Sequence, residues 1–92
     1  MEHEIKTWPF YFMARVEGKK PWEFRKHDRP YVAGDILFER EWNPVDKQYT
    51  GRELRGAKIT QVFSGDLIPD GYCMISLDDS DMTKALPGDE GE

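Results

Sequence analysis

The stretch that decides the fold reads Gly18-Lys19-Lys20-Pro21-Trp22-Glu23-Phe24-Arg25. The glycine at position 18 stands where helices commonly end in a left-handed conformation, so the residues before it are predicted to form a helix that ends here. From position 22 aromatic and charged residues alternate with period two, which predicts a strand. We expect Trp22 and Phe24 to face the core. Glu23 and Arg25 then share the opposite, polar face.

Outward from this stretch, the chain is predicted to contain one principal helix and five strands. The helix covers residues 9–17, where apolar side chains recur at helical spacing. The predicted strands are residues 3–6, 22–26, 35–42, 54–63 and 72–77. Residues 43–51 are predicted to form a turn-rich loop. Since no second helix is long enough for a parallel crossover, the predicted fold class is α+β and mostly β, a small mixed β-barrel closed over one helix.

The formal net charge of −5 is concentrated at the C-terminal end of the chain. Residues 78–92 contain six acids and one lysine, whereas residues 1–77 contain equal numbers of acidic and basic residues. The C-terminal stretch is also rich in Ser, Pro and Gly, which is typical of disorder. We therefore expect a folded domain over residues 1–77 and an acidic disordered tail over residues 78–92. The acidic pI belongs to this tail and is no argument against a nucleic-acid partner.

Composition excludes several classes of protein. No apolar run approaches the roughly 20 residues that cross a bilayer, and the charged N-terminus lacks an apolar signal core. Cys73 alone forms no internal disulfide, and His3 and His27 lack the spacing of a metal pair. No phosphate loop or dinucleotide fingerprint occurs, so we expect no metal and no cofactor. The default expectation is a cytoplasmic monomer with no membrane contact.

The spacing G-x-K-x-x-E-x-R, from Gly18 to Arg25, resembles the signature of the ASCH domains, a branch of the PUA-like β-barrel superfamily. The similarity covers roughly residues 3–77 and looks like a small branch common in phage and bacterial genomes. Further segments that carry it are 6–9, 25–29, 34–37, 40–42 and 71–76. The resemblance implies a PUA-like barrel and a role in binding RNA or a nucleotide.

Lys20, Glu23 and Arg25 are expected to converge beside the mouth of this barrel, with two cations around one carboxylate. A structural ion-pair cluster that ties the helix to the strand is the alternative. Exposed ion pairs contribute only about 0–1 kcal/mol, so three charges held at one rim are more readily explained by a ligand.

The first functional hypothesis is binding of RNA or of a modified nucleotide. Six basic residues fall between positions 15 and 29, and four of them are expected to contact phosphate: Lys20, Arg25, Lys26 and Arg29. Glu23 can accept a hydrogen bond from a base amino group, and an exposed aromatic residue such as Tyr31 or Trp42 can stack on a base. The predicted ligand-binding residues are Lys19, Lys20, Glu23, Arg25, Lys26, Arg29 and Tyr31.

Two alternatives stay open. Some minimal ASCH proteins cleave the acyl group from N4-acylated cytidine with a lysine at the third motif position, which implies Lys20 as the catalytic residue of an amidohydrolase. This sequence has Glu23 where those enzymes have threonine, and it lacks their helical insertion between Phe63 and Tyr72. The other alternative is a phage-type protein that binds a host protein through its acidic tail or its aromatic-rich loops.

Overall fold

The computed structural model describes residues 1–87, which form one helix and six strands. In chain order these are β1 (Glu2–Thr7), α1 (Pro9–Val16), β2 (Trp22–Lys26), β3 (Ile36–Asn43), β4 (Gln48–Phe63), β5 (Tyr72–Asp78) and β6 (Thr83–Ala85). The predicted helix and the predicted strand 22–26 are confirmed, and Gly18 has a left-handed φ of 75° just beyond the helix. The predicted loop 43–51 is shorter than expected. Asn43 Oδ1 accepts hydrogen bonds from the backbone N–H groups of Val45 and Asp46, which closes a tight turn before β4.

All six strands belong to one mixed sheet with the order β1-β3-β4-β5-β2, and β6 pairs with β4. β1 runs parallel to β3, and the other pairs are antiparallel. The long β4 pairs with β3 along one edge, while its other edge pairs first with β6 and then with β5. The fold is a small, mostly β domain with one short helix and an open mixed sheet. Within residues 1–87, no helix is long and apolar enough to span a bilayer.

The two end strands of the sheet, β1 and β2, are joined by side chains. Arg25 on β2 donates a hydrogen bond to the backbone carbonyl of Lys6 (3.2 Å), and Arg29, in the loop after β2, donates one to that of Glu4 (3.0 Å). No backbone ladder pairs β1 with β2 in the described part of the chain. The sheet therefore bends until its ends are one arginine side chain apart, and a gap remains between them.

One face of the sheet forms the interior, which is apolar at one end and charged at the other. The apolar part consists of Ile5, Tyr31, Leu37, Ala57, Ile59, Cys73, Ile75 and Leu77. Along β3 the same face continues from Leu37 to Glu39 and Glu41, which are also buried. α1 packs on β3 and contributes the fully buried side chains of Phe12 and Arg15. Folding therefore buries charges beside the helix, where each one requires a partner.

The direction in which β2 faces corrects the sequence prediction. Glu23 is 2% exposed and lies inside with Arg25, whereas Trp22 and Phe24 are 40% and 42% exposed. The alternation itself is confirmed, but its two faces are exchanged. Glu23 is tolerated inside because it lies against the charged part of the interior, where Lys20 donates a hydrogen bond to its carboxylate.

Residues 78–87, predicted to belong to a disordered tail, form ordered structure instead. β6 pairs with β4, and the ammonium of Lys84 donates a hydrogen bond to the carbonyl of Val16 at the end of α1 (2.8 Å). Asp79 accepts two hydrogen bonds from buried Arg15. The prediction from composition was wrong here because a count of acidic residues does not show that one of them, Asp79, pairs with the buried Arg15. Residues 88–92, the rest of the predicted tail, lie outside the described residues.

Gly56 is where the segment 78–87 comes close to β4. It has a left-handed φ of 96° at a β-bulge, and a Cβ placed there would lie 2.9 Å from the backbone oxygen of Asp81. We expect Gly56→Ala to lower the free energy of unfolding in urea by about 1–3 kcal/mol for the backbone strain, and by more because the Asp81 backbone must move. Gly34→Ala is the matched control, since Gly34 has a similar φ of 98° with open space around it. Equal losses in the two variants would contradict the close approach.

Candidate functional site

A pocket of about 670 Å³ lies in the gap between β1 and β2, beside the start of α1. This volume falls within the range of roughly 300–1,000 Å³ that is typical of small-molecule sites. Its aromatic lining consists of Trp8, Tyr11, Trp22, Phe24 and Tyr72. Its charged lining consists of Lys6, Lys20, Glu23, Arg25, Lys26 and Asp28. Aromatic and charged side chains therefore share one concave surface.

The three motif residues meet in this pocket. Lys20 Nζ donates a hydrogen bond to Glu23 Oε2 (3.1 Å), and Arg25 Nη1 lies 3.7 Å from Glu23 Oε1. The predicted convergence of two cations around one carboxylate is confirmed. Lys20 Nζ also lies 5.1 Å from the ring centroid of Tyr11 and 5.2 Å from that of Trp22, and aromatic faces at this distance stabilise a cation. The lining of the pocket thus includes two positive side chains with a carboxylate between them.

Glu23 also interacts with a second carboxyl group, that of Glu39 on β3. Glu39 is fully buried, and burial together with the neighbouring charge of Glu23 raises the pKa of Glu39 to about 8. The charge of Arg15, whose Nε lies 2.9 Å from Glu39 Oε2, acts in the opposite direction without cancelling the shift. The raised pKa favours the protonated form of Glu39, which can then donate a hydrogen bond to the neighbouring Glu23 carboxylate. Two neighbouring carboxyl groups, those of Glu23 and Glu39, therefore lie behind the pocket.

Arg15 on α1 holds this carboxyl pair in place, and all five of its N–H donors are used. Nε donates to the carboxyl group of Glu39. Nη1 donates to the backbone carbonyl of Lys20 (2.7 Å) and to Asp79. Nη2 donates to Asp79 and to the sulfur of Met82. Burial lowers the pKa of Arg15, but the hydrogen bond and charge of Asp79 and the charge of Glu39 outweigh it, so this pKa lies above its usual value. One helix residue therefore connects β3, the turn before β2 and the segment after β5.

Sequence reasoning did not place Arg15, Glu39 or Asp79 in the site. A signal exists for the first two. Arg15 follows Phe12 by three positions, which puts both on one face of the helix. Glu39 shares a strand face with Leu37. A cation and an acid that interrupt two apolar faces indicate a buried ion pair, whereas no local pattern marks Asp79.

The remaining basic residues of the prediction are divided between the pocket and its surroundings. Lys26 lines the pocket. Lys19 does not line it; this side chain is exposed and pairs with Glu17 at 3.1 Å. Arg29 is exposed and is engaged with the backbone of β1. The structure thus brings Lys26 together with the motif residues and leaves Lys19 outside.

Tyr31 is not available to stack on a base, so this part of the prediction is wrong. It is 4% exposed and packs against His3, with ring centroids 4.8 Å apart. Its position in a polar loop suggested the surface, but the loop folds the ring over the sheet and into the apolar core. Trp42, the other aromatic candidate, is half-buried beneath Lys6, whose Nζ lies 3.9 Å from the ring centroid. The aromatic rings at the pocket are instead those of the start of α1, of β2 and of the first residue of β5.

The profile of a protein family described as "Domain of unknown function (DUF3850)" matches residues 2–77. The chain belongs to the DUF3850 family. A curated relative, the "Uncharacterized 12.9 kDa protein in GpA 3'region" of Escherichia phage P2, is 48% identical over 60 residues. That alignment covers 65% of this chain and 52% of the phage protein, so the chain spans about half the length of this relative. Every residue that lines the pocket falls within the DUF3850 match, whereas Asp79 lies beyond it.

Proposed function

We propose that this DUF3850 domain binds a nucleotide, either one unit of single-stranded RNA or a modified nucleotide, in the pocket between β1 and β2. The observation that carries the proposal is the presence of exposed aromatic rings and the Lys20–Glu23–Arg25 cluster in one cavity. A nucleotide has a flat base, a polar base edge and a phosphate. The pocket offers a complementary group for each.

The aromatic rings supply stacking surfaces for a base. Phe24 and Tyr72 are stacked on each other, 5.5 Å apart and 11° from parallel, and both stay more than a third exposed. Trp8 and Trp22 border the same pocket and are exposed to a similar or greater extent. Stacking of a base on an aromatic side chain contributes about 1–3 kcal/mol. A group of uncovered rings around a cavity is typical of a ligand site.

The charges of the pocket favour an anion with a polar edge. Four cationic and two acidic side chains line the pocket, and Glu39 adds no negative charge while it is protonated. Lys20 and Arg25 provide N–H donors for a phosphate or a base carbonyl, and Glu23 provides an acceptor for a base amino group. Proteins that recognise single-stranded RNA combine stacking, base-edge hydrogen bonds and phosphate contacts in this way.

The motif G-x-K-x-x-E-x-R supports the same conclusion, because it resembles that of the ASCH domains, for which a role in RNA binding has been proposed. We extend the proposal to the fold and interpret the bent sheet as an ASCH-type, PUA-like barrel that is open between β1 and β2. The bridges from Arg25 and Arg29 to the backbone of β1 support this interpretation, since they join the two ends of the sheet. The opening would then be the ligand pocket.

A binding titration at low salt tests the proposal, with a labelled pool of single-stranded RNA and free cytidine derivatives as probes. The wild type is expected to bind with an affinity that falls as salt rises, because phosphate contacts release counterions. The double variant Lys20→Gln/Arg25→Gln is expected to lose affinity by about tenfold or more, since it removes the two charged donors beside Glu23.

Lys19→Gln is the matched control for this titration, because Lys19 is the neighbouring cation that does not line the pocket. Its affinity is expected to stay within about twofold of the wild type. Far-UV circular dichroism establishes that the double variant is folded. Absence of binding to either probe at low salt, or equal losses for the control and the double variant, would contradict nucleotide binding at this site.

The position of Lys20 favours a second candidate activity, hydrolysis of N4-acylated cytidine. Its amino group lies in the pocket 3.1 Å from the Glu23 carboxylate, so an amine and an acid meet where a ligand would bind. Incubation with N4-acetylcytidine tests this candidate, and release of cytidine that Lys20→Ala abolishes would support it. If the wild type releases no more cytidine than Lys20→Ala does, the hydrolase candidate is excluded. Failure of both binding and hydrolysis would favour the remaining hypothesis, binding of a host protein.

A further inference from the structure

We infer that Asp79 is a positioning residue of this pocket and that the segment 78–87 completes the site. The inference rests on the proposed function, since it concerns the same pocket. Asp79 does not line the pocket itself. It acts through Arg15, whose other donors hold the backbone carbonyl of Lys20 and the carboxyl group of Glu39.

Two hydrogen bonds from Asp79 fix the plane of the guanidinium. Arg15 Nη1 lies 2.8 Å from Asp79 Oδ2 and Nη2 lies 2.7 Å from Oδ1, a bidentate geometry that orients both groups. With this plane fixed, Nη1 meets the Lys20 carbonyl at 2.7 Å and Nε meets Glu39 at 2.9 Å. Asp79 therefore determines how the turn that carries Lys20 sits relative to the strand that carries Glu39.

Asp79 also affects the balance of charge around Glu39. The groups around Glu39 are Arg15, Glu23 and Thr7 in direct contact, and Lys20, Arg25 and Asp79 one contact further away. Asp79 pairs with Arg15 at 2.7 Å and so offsets part of the positive charge that acts on Glu39. Without the Asp79 carboxylate, the uncompensated charge of Arg15 would favour the ionised form of Glu39.

The segment that carries Asp79 is anchored by contacts that do not involve Arg15. β6 pairs with β4, Lys84 binds the end of α1 at Val16, and the backbone of Asp81 packs closely on Gly56. This segment lies beyond residues 2–77, which match the family. The residue that orients Arg15 thus comes from a segment of the same fold that lies outside the family match.

Asp79→Asn tests the inference, with Asp81→Asn as the matched control. Asp81 is exposed, and its side chain forms no hydrogen bond or ion pair with the residues that the structure describes. The probe is the labelled pool of single-stranded RNA, and the titration of Glu39 is followed through its carboxyl carbon by NMR. We expect Asp79→Asn to weaken RNA binding about tenfold and to lower the midpoint of the Glu39 titration. Asp81→Asn is expected to change neither.

Three further outcomes separate positioning from a loss of structure and from the proposed function. Asp79→Glu restores a carboxylate and is expected to return the Glu39 midpoint toward that of the wild type. If the wild type binds no RNA, the proposed function fails, and the Glu39 midpoint in Asp79→Asn alone decides the role of Asp79. If Asp79→Asn does not fold, Gly56→Ala, which displaces the segment, is compared with Gly34→Ala for the same lowered midpoint. The inference is overturned if Asp79→Asn binds RNA with wild-type affinity and leaves the Glu39 midpoint unchanged. It is also overturned by an unchanged midpoint alone in the two cases in which RNA binding gives no answer.

Discussion

Replacing Arg15 by methionine is expected to lower the free energy of unfolding by about 3–5 kcal/mol, a large share of the stability of a small domain. Methionine fills part of the same volume but supplies none of the five donors. Glu39, Asp79 and the carbonyl of Lys20 then lose their shared hydrogen-bond donor, and polar groups left without a partner are costly inside a protein. Arg15 is 0% exposed, so water does not compensate for the loss.

Urea denaturation monitored by tryptophan fluorescence measures this effect. Arg55→Met is the matched control, since the Arg55 side chain is 53% exposed and lies 3.7 Å from Glu2 in a surface ion pair. We expect Arg55→Met to lower the free energy of unfolding by less than about 1 kcal/mol. Similar losses at the two positions would show that the cluster around Arg15 does not hold the fold together.

Raising the pH between 4.5 and about 8 is expected to destabilise the wild-type protein through Glu39. In the unfolded chain this carboxyl group ionises near its ordinary pKa of 4.5, whereas in the folded protein burial and the charge of Glu23 raise the pKa to about 8. Between these values the folded state binds more protons than the unfolded state. The free energy of unfolding therefore falls as pH rises, by up to about 1.4 kcal/mol per pH unit, and this contribution is constant above the window.

Glu39→Gln is expected to flatten this dependence, because glutamine is a neutral replacement for the protonated side chain. The variant is expected to match the wild type near pH ~5 and to exceed its stability near pH ~8. Thermal or urea unfolding across this range measures both curves. Glu2→Gln, on the half-exposed side chain of β1, is the control and is expected to keep the wild-type slope. Parallel curves for the wild type and Glu39→Gln would contradict the raised pKa.

The buried charges around Arg15 are not an economical way to stabilise a small domain. Removing an ion from water costs several kcal/mol, and apolar side chains of similar volume often stabilise a protein as well or better. A chain of this length also has a thin core, since a domain of about 60–90 residues buries only roughly 60% of its unfolded surface. The cluster lies directly behind the pocket and touches Lys20 and Glu23, which bind there in our proposal. Its place in the fold therefore supports a role in the ligand site.

The convergence of Lys20, Glu23 and Arg25 could be predicted because the three residues lie within one turn and one strand. The end of a helix at Gly18 and the alternation from Trp22 depend only on neighbouring residues. The predicted orientation of β2 was wrong, because aromatic side chains were expected to face the core. An alternation defines two faces, and the partners available on each side decide which one is buried.

The sequence by itself determined the single principal helix, the strand 22–26 and the grouping of the three motif residues. Only the tertiary structure decided that Glu23 lies inside, that Tyr31 is covered by its loop, and that Asp79 belongs to the site. The physical reason is the range of the interactions. Backbone patterns reflect residues a few positions apart, whereas the cost of burying a charge depends on a partner that another part of the chain supplies. Arg15 finds that partner in Asp79, 64 residues further along the chain.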